Sequence, residues 1–257
     1  MQAIILCGGK GTRLSALYSD RPKILVPIAG RPFLEWQFEW LGKAGITDIH
    51  LAAGYKAEVL AEWLGARSQR SEVRSQSERA VMGLTAHASP LTICLPPFTF
   101  HVSLSSEPSP LGTGGGLRFV EPWVRSDPFL VLNGDSLSPN LDFKSLTAAH
   151  RGSVTIAVTQ IGEAGRYGTV EFDEAARVTA FREKAPRESG WINAGLYLID
   201  RAILQSIPAD RNVSIEIDIF PDLVRRGLVR ACPLPPPLLD MGTPEGIAAM
   251  EAFLKRQ

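Results

Sequence analysis

At 257 residues, 45% hydrophobic and 21% charged, the chain suits one large folded α/β domain and excludes a disordered or fibrous polypeptide. Its 27 basic and 27 acidic residues cancel, so no broad basic field serves nucleic acid or an anionic membrane, and any anion site must be local. Cys7, Cys94 and Cys232 are scattered without C-x-x-C spacing, which indicates neither a disulfide framework nor a zinc site and makes the cytoplasm the expected compartment, with no secretory leader or membrane span in view.

The apolar run at 3–7 ("AIILC") is a buried strand that feeds "GGKGTR", where Gly8, Gly9 and Gly11 let backbone amides approach an anion and Arg13 adds a fixed charge. The spelling matches neither the dinucleotide fingerprint, since Leu14 stands where a glycine is needed, nor a Walker A loop, which requires Gly-Lys-Ser or Gly-Lys-Thr. It reads either as a phosphate cradle or as a bare strand-to-helix turn. Lys23, flanked by Pro22 and an apolar run, is either solvated or aimed at phosphate. Helical patterns at 32–44 and 56–64 bracket a strand at 47–53, and the apolar stripe through Phe33, Leu34, Trp36, Phe38, Trp40 and Leu41 faces a core. Residues 65–100 change character, from a Ser/Arg/Glu/Gln-rich half to a half containing Pro90, Pro96 and Pro97, and read as a solvated helix or loop.

"EPSPLGTGGGLRF" at 107–119 is a second glycine loop expected to precede a helix, whose glycines imply close packing against a flat or bulky neighbour or a structural turn. The strand at 128–132 ends in Asn133, Gly134 and Asp135, where the carboxylate is placed either to reach a divalent cation or to cap local amides. A helix at 142–150 and strands at 153–159 and 195–199 follow, with Gly168, Glu183, Lys184 and Asn193 between and beside them; acid, lysine and amide suit a phosphorylated, polyhydroxylated ligand. "CPLPPPLL" at 232–239 reads as an extended connector, and Asp240 either joins Asp135 on one Mg²⁺ or caps the helix at 245–255. Strands alternating with helices predict a doubly wound, mostly parallel sheet with helices on both faces, a Rossmann-like α/β fold that binds ligands beyond the carboxyl ends of its strands.

Taken in order, "LCGGKGTRL", "RPKILVPIAGRPFLEW", "EPSPLGTGGGLRF", "LNGDS", "YGTVEFD", "FREK", "INAGLYLID", "SIEIDIFPDL" and "LDMGTPE" resemble the sugar-1-phosphate nucleotidylyltransferase family along nearly the whole chain. The resemblance implies a single nucleotide-diphospho-sugar transferase domain over 1–257 with Mg²⁺ as cofactor, a nucleoside triphosphate and a sugar 1-phosphate as substrates, and no C-terminal β-helix domain. It assigns the nucleotide to Leu6, Gly8, Gly9, Gly11, Thr12 and Arg13 and its base to Glu107, Pro110, Gly112 and Thr113. It assigns the metal to Asp135 and Asp240, the sugar phosphate to Asn133, Gly168, Glu183, Lys184 and Asn193, and catalytic charge to Arg13, Lys23 and Lys184.

Glu107 suits guanine, whose adjacent N–H donors a carboxylate accepts together. The spelling is most similar to the D-glycero-D-manno-heptose 1-phosphate guanylyltransferases of bacterial capsule synthesis, and mannose 1-phosphate guanylyltransferases and a uridylyltransferase of N-acetylmuramate recycling share much of it. A non-catalytic relative would not need the full cation and carboxylate set, and a glycosyltransferase would normally carry Asp-x-Asp where "NGDS" offers one acid. Residues 65–100 exceed the short hairpin usual in the family and are expected to be an insertion, and the family implies a homodimer or higher oligomer.

Overall fold

The computed structural model describes residues 1–11, 18–71, 90–151, 153–162, 168–182 and 189–256. The first strand, β1 (Gln2–Cys7), is followed by a small hairpin, β2 (Pro27–Ile28) and β3 (Arg31–Pro32), and by α1 (Phe33–Lys43), β4 (Asp48–Ala53) and α2 (Ala57–Ser71). Next come the hairpin β5 (Leu91–Leu95) and β6 (Phe98–Ser106), α3 (Gly112–Phe119), β7 (Phe129–Asn133), β8 (Ser136–Leu137) and α4 (Phe143–Ala149). The chain continues through β9 (Val154–Ile161), β10 (Thr169–Phe172), β11 (Val178–Arg182) and β12 (Gly190–Ile199). It closes with α5 (Phe220–Arg225), β13 (Val229–Leu234), β14 (Leu239–Asp240) and α6 (Pro244–Leu254).

Ten of these strands form one sheet whose main path runs β11-β10-β12-β7-β1-β4-β6-β5, with β9 and β13 branching from β12. The parallel centre expected from the sequence is β7-β1-β4-β6, and antiparallel strands flank it on both sides. Strand alternation assigns the faces. Ala3, Ile5 and Cys7 of β1 pack with Phe33, Leu34, Phe38 and Leu41 of α1, Leu60 of α2, Leu146 of α4 and Met250 of α6. Ile4 points the other way, toward Leu117 of α3 and Phe220 and Leu223 of α5.

Caps set two helix starts: Asp142 accepts from Lys144 N and Ser145 N at α4, and Thr243 accepts from Gly246 N at α6, where Pro244 opens the first turn. No described helix is long and apolar enough to cross a membrane.

Three expectations change. Residues 65–71 complete α2 and residues 91–100 form β5 and the start of β6, so the ends of the 65–100 segment belong to the main fold; 72–89 lie outside the described residues. The glycines of 107–119 stand inside α3, not before it, because Gly114 N and Gly115 N both donate to Val213 O, at 2.8 and 3.2 Å, and a side chain at Gly115 would meet the backbone of Arg211. Cys232 to Leu234 belong to β13, paired in parallel with β9, which leaves only the proline-dense remainder as connector.

Candidate active site

The carboxyl ends of β1, β4, β6 and β7 converge with α3 around a cleft of about 700 Å³. Leu6 ends the apolar part of β1; its carbonyl accepts from Gly134 N at 2.8 Å and the Gly8 carbonyl from Tyr55 N at 3.1 Å, so neighbouring strand ends fix where the glycine loop leaves the sheet. Gly11 adopts φ +59°, a left-handed conformation that glycine takes without strain. Leu6, Gly8, Gly9 and Gly11 all line the cleft, beside Lys10. Thr12 and Arg13 lie outside the described residues.

Glu107 follows directly on β6, its N–H bonded to Ala53 O at 2.9 Å. The carboxylate stands over two glycines: a Cβ on Gly8 would fall 2.6 Å from Glu107 Oε1, and one on Gly54 would collide with the same oxygen. These small residues at the ends of β1 and β4 therefore make the room Glu107 occupies. Its Oε2 accepts from Leu111 N at 3.3 Å. Burial raises the Glu107 pKa above its ordinary value, with the Leu111 N–H opposing. A half-buried carboxylate with one backbone N–H partner favours a ligand that brings further N–H donors. Pro110, Gly112 and Thr113 line the same side of the cleft.

Across the cleft, Lys23 opens a short 3₁₀ turn anchored by buried Ile24 and Leu25, and its ammonium pairs with Asp135 Oδ2 at 2.6 Å. Asp135 sits in the turn between β7 and β8. Because β8 pairs with β14, Asp240 lies opposite Ser136, and Met241 N donates to Asp135 O at 3.0 Å. The two carboxylates expected to share a cation are thus brought to adjacent backbone positions from segments far apart in sequence. Asp240 Oδ1 accepts from Gly242 N at 2.6 Å, and Asp240 is not among the residues lining the cleft.

Among the described residues no group of three or more His, Cys, Asp or Glu side chains could hold a metal. Two carboxylates at Asp135 and Asp240 would suit only a hard cation that draws its remaining oxygens from phosphate and water.

Of the residues expected to hold the sugar phosphate, Asn133 lines the cleft, and its Oδ1 is buried without a hydrogen-bond partner among the described residues. It abuts β12 at Gly195, which has φ +69° and where a Cβ would lie 2.6 Å from Asn133 Nδ2. Asn193 stands two residues before that contact and accepts from Gly195 N at 2.9 Å, while Gly168 is exposed just before Thr169, which pairs with Ile192. Neither Asn193 nor Gly168 lines the cleft. Glu183 and Lys184 lie outside the described residues.

Two polar residues escaped sequence reasoning. Gln37, on the buried face of α1, donates to Asn133 O at 3.1 Å and Ser136 O at 3.2 Å, so it holds the turn that carries Asp135. Its signal was a polar residue four positions from both Phe33 and Leu41 on the apolar stripe. Glu216 binds Thr113 and Tyr197 through its two oxygens; it lies in the segment "SIEIDIFPDL", which carries the family resemblance but assigned this residue no role.

The nucleotidyl transferase family model matches residues 2–257. The chain belongs to this family. It is 33% identical over 245 residues to a D-glycero-alpha-D-manno-heptose 1-phosphate guanylyltransferase of Campylobacter jejuni, covering 95% of this chain and 96% of that one. A mannose-1-phosphate guanylyltransferase of Mycobacterium tuberculosis is 33% identical over 262 residues, a match spanning all of this chain and 65% of that longer protein. Among solved structures, HddC from Yersinia pseudotuberculosis superposes with a TM-score of 0.78 at 27% identity over 98% of this chain and 99% of that one. The same protein complexed with GMP-PN also gives 0.78, at 26% identity.

Proposed function

We propose that the protein transfers a guanylyl group from GTP to D-glycero-D-manno-heptose 1-phosphate, giving GDP-heptose and pyrophosphate for a bacterial capsule or other surface polysaccharide. The observation that carries this reading is the half-buried Glu107 carboxylate set over the glycine floor of the cleft, in a chain that matches a heptose 1-phosphate guanylyltransferase almost end to end. Guanine presents N1–H and its exocyclic amine side by side and satisfies both carboxylate oxygens; a uracil or thymine ring offers one imide N–H and leaves the other oxygen short. The GMP-PN complex of HddC supports a guanine nucleotide.

In the proposed reaction an ionised phosphate oxygen of the sugar 1-phosphate attacks the α-phosphorus of GTP. A new P–O bond forms as the bond between the α-phosphorus and its bridging oxygen breaks, and the electron pair departs on pyrophosphate. No general base is needed, because the nucleophile already carries its charge at neutral pH. The protein's contribution is alignment and charge stabilisation. Gly8, Gly9 and Gly11 bring backbone to the triphosphate, and Lys23 with Arg13 neutralises charge on its phosphates. Asn133, Gly168, Glu183, Lys184 and Asn193 hold the sugar phosphate. Asp135 and Asp240 would hold Mg²⁺, which when bound screens the phosphate charges that otherwise repel the incoming oxygen.

A second reading, mannose 1-phosphate as acceptor, is favoured by the equal identity to the mycobacterial enzyme. Pyrophosphate release distinguishes the two, measured with Mg²⁺ for each of four nucleoside triphosphates paired with heptose, mannose, glucose and N-acetylglucosamine 1-phosphates. Release confined to GTP with the heptose is expected; GTP with mannose would move the acceptor, and a pyrimidine triphosphate would remove Glu107 as a reader of guanine.

A further inference from the structure

From the cleft residue Thr113 a directed chain of hydrogen bonds runs to β12, beside Asn133. Thr113, in the first turn of α3, receives Ile215 N–H at 2.9 Å and donates its hydroxyl to Glu216 Oε2 at 2.8 Å. Ser214 Oγ donates to the same oxygen at 2.9 Å. Tyr197 Oη donates to Glu216 Oε1 at 3.1 Å and accepts from Asn193 Nδ2 at 2.8 Å, and Asn193 Oδ1 takes the Gly195 N–H. Gly195 lies so close to Asn133 that a Cβ at 195 would fall 2.6 Å from Asn133 Nδ2. The hydrogen bonds therefore begin at the cleft residue Thr113 and end at Gly195, whose backbone approaches a second cleft residue, Asn133.

Its direction is fixed chemically: a carboxylate only accepts, so the single Tyr197 proton goes to Glu216 and the phenol oxygen must receive the Asn193 amide. Regular geometry fails at both supports. Glu216 sits in a π-helical turn, Ile215–Ile219, and the pairing of β12 with β9 slips between Asn193 and Tyr197. Such irregularities re-aim side chains and recur beside functional sites. Packing alone does not require a carboxylate beside the fully buried Tyr197; an apolar pair would avoid its desolvation.

We infer that Glu216 is a positioning residue that couples the nucleotide side of the cleft to its sugar-phosphate side, so that occupation of one alters affinity at the other. The inference rests on the two-substrate reading above. The Glu216 carboxylate fixes the Thr113 hydroxyl on α3 and, through Tyr197, the Asn193 amide on β12. A ligand that orders either end orders the other, and the effect is reciprocal.

The test is calorimetric. A GTP analogue with a methylene bridge between its α- and β-phosphorus atoms is titrated with Mg²⁺, with and without saturating amounts of the sugar 1-phosphate that the wild type consumes. In the wild type the sugar 1-phosphate is expected to change the analogue's Kd by about fivefold or more, the usual lower range of coupling between sites. In Glu216→Gln, whose amide nitrogen replaces one accepting oxygen and so sets a donor against either Tyr197 or the Thr113 and Ser214 hydroxyls, the ratio falls below about twofold. Tyr197→Phe keeps the ring and cuts the path at a second point, so it carries the test if Glu216→Gln does not fold. Wild-type coupling retained in a folded variant overturns the inference, as does a wild type in which the two ligands bind independently. A wild type that binds the analogue but consumes no sugar 1-phosphate overturns the reading beneath it, and the inference falls with it.

Discussion

Lys23 and Asp135 meet at 2.6 Å, with the lysine side chain 16% and the aspartate 36% exposed. A pair this open to water adds little to stability, about 1 kcal/mol or less, so its worth lies in what each group does to a ligand. Asp135→Asn is therefore expected to leave the circular dichroism spectrum and thermal midpoint near wild type while turnover falls about a hundred- to a thousandfold. Near-normal turnover at saturating Mg²⁺ would take Asp135 out of the site. Glu107→Gln keeps the shape over Gly8 and Gly54 but turns one acceptor into a donor facing guanine. Discrimination for GTP over UTP, read as the ratio of kcat/KM values, should fall about tenfold or more, the cost of a hydrogen bond to a charged group. An unchanged nucleotide profile would show that the base is read elsewhere.

Helix α3 shows how an element can be built around what it touches. Four glycines in eight residues are poor helix formers, each costing about 1 kcal/mol relative to alanine, and propensity alone would invite substitution. Contact decides otherwise. A Cβ on Gly115 would fall 2.6 Å from the backbone carbonyl oxygen of Arg211 and 3.0 Å from Leu111 Cβ, neither of which can swing aside as a side-chain tip would. Gly115→Ala should therefore destabilise by about 1–3 kcal/mol despite its better propensity, since overpacking outweighs the helix term. Urea unfolding would measure it, and a stabilised variant would show that the segment at 211–215 yields. A helix pushed off that segment also loses the Gly114 and Gly115 bonds to Val213 O, so nucleotide affinity should weaken with stability.

Over the whole molecule, one contribution to acid sensitivity comes from His50 in β4, two residues before the cleft residue Ala52. His50 is fully buried in β4, bonded to Ser103 Oγ and Ser105 Oγ at 2.8 and 2.9 Å and stacked on Trp123. Burial, aided by the Arg125 charge, pulls its pKa down to about 3 from 6.5. A depressed native pKa means that the unfolded chain binds the proton first. Stability from this group is complete above pH 6.5 and declines as pH falls toward 3, by up to about 1.4 kcal/mol per pH unit. Between pH 7 and pH 4 the thermal midpoint of the wild type should drop more steeply than that of His50→Gln, and parallel curves would show that His50 is not held neutral.

Local pattern made much of this molecule legible. The short β-branched run ahead of Gly8, the apolar spacing from Phe33 to Leu41 and the strand closing at Asn133 are each encoded within a few residues, because strand and helix periodicities are local. Their boundaries came within a few residues of β1, α1 and β7, and the acids at 135 and 240 stood out as strand-end carboxylates. Contacts between distant segments were beyond such reading. That Asp240 lies opposite Ser136 depends on β8 and β14 finding each other, and that Glu107 fits at all depends on Gly8 and Gly54 ending two other strands. Gln37 looked like an interruption of a stripe until β7 and β8 each supplied a carbonyl, and Glu216 had no visible role until Thr113 and Tyr197 closed on it. By itself the sequence determined the elements, the glycine loop and the family; tertiary structure alone decided which carboxylates meet and what each one touches, because hydrogen bonding and desolvation depend on neighbours that only the folded chain brings together.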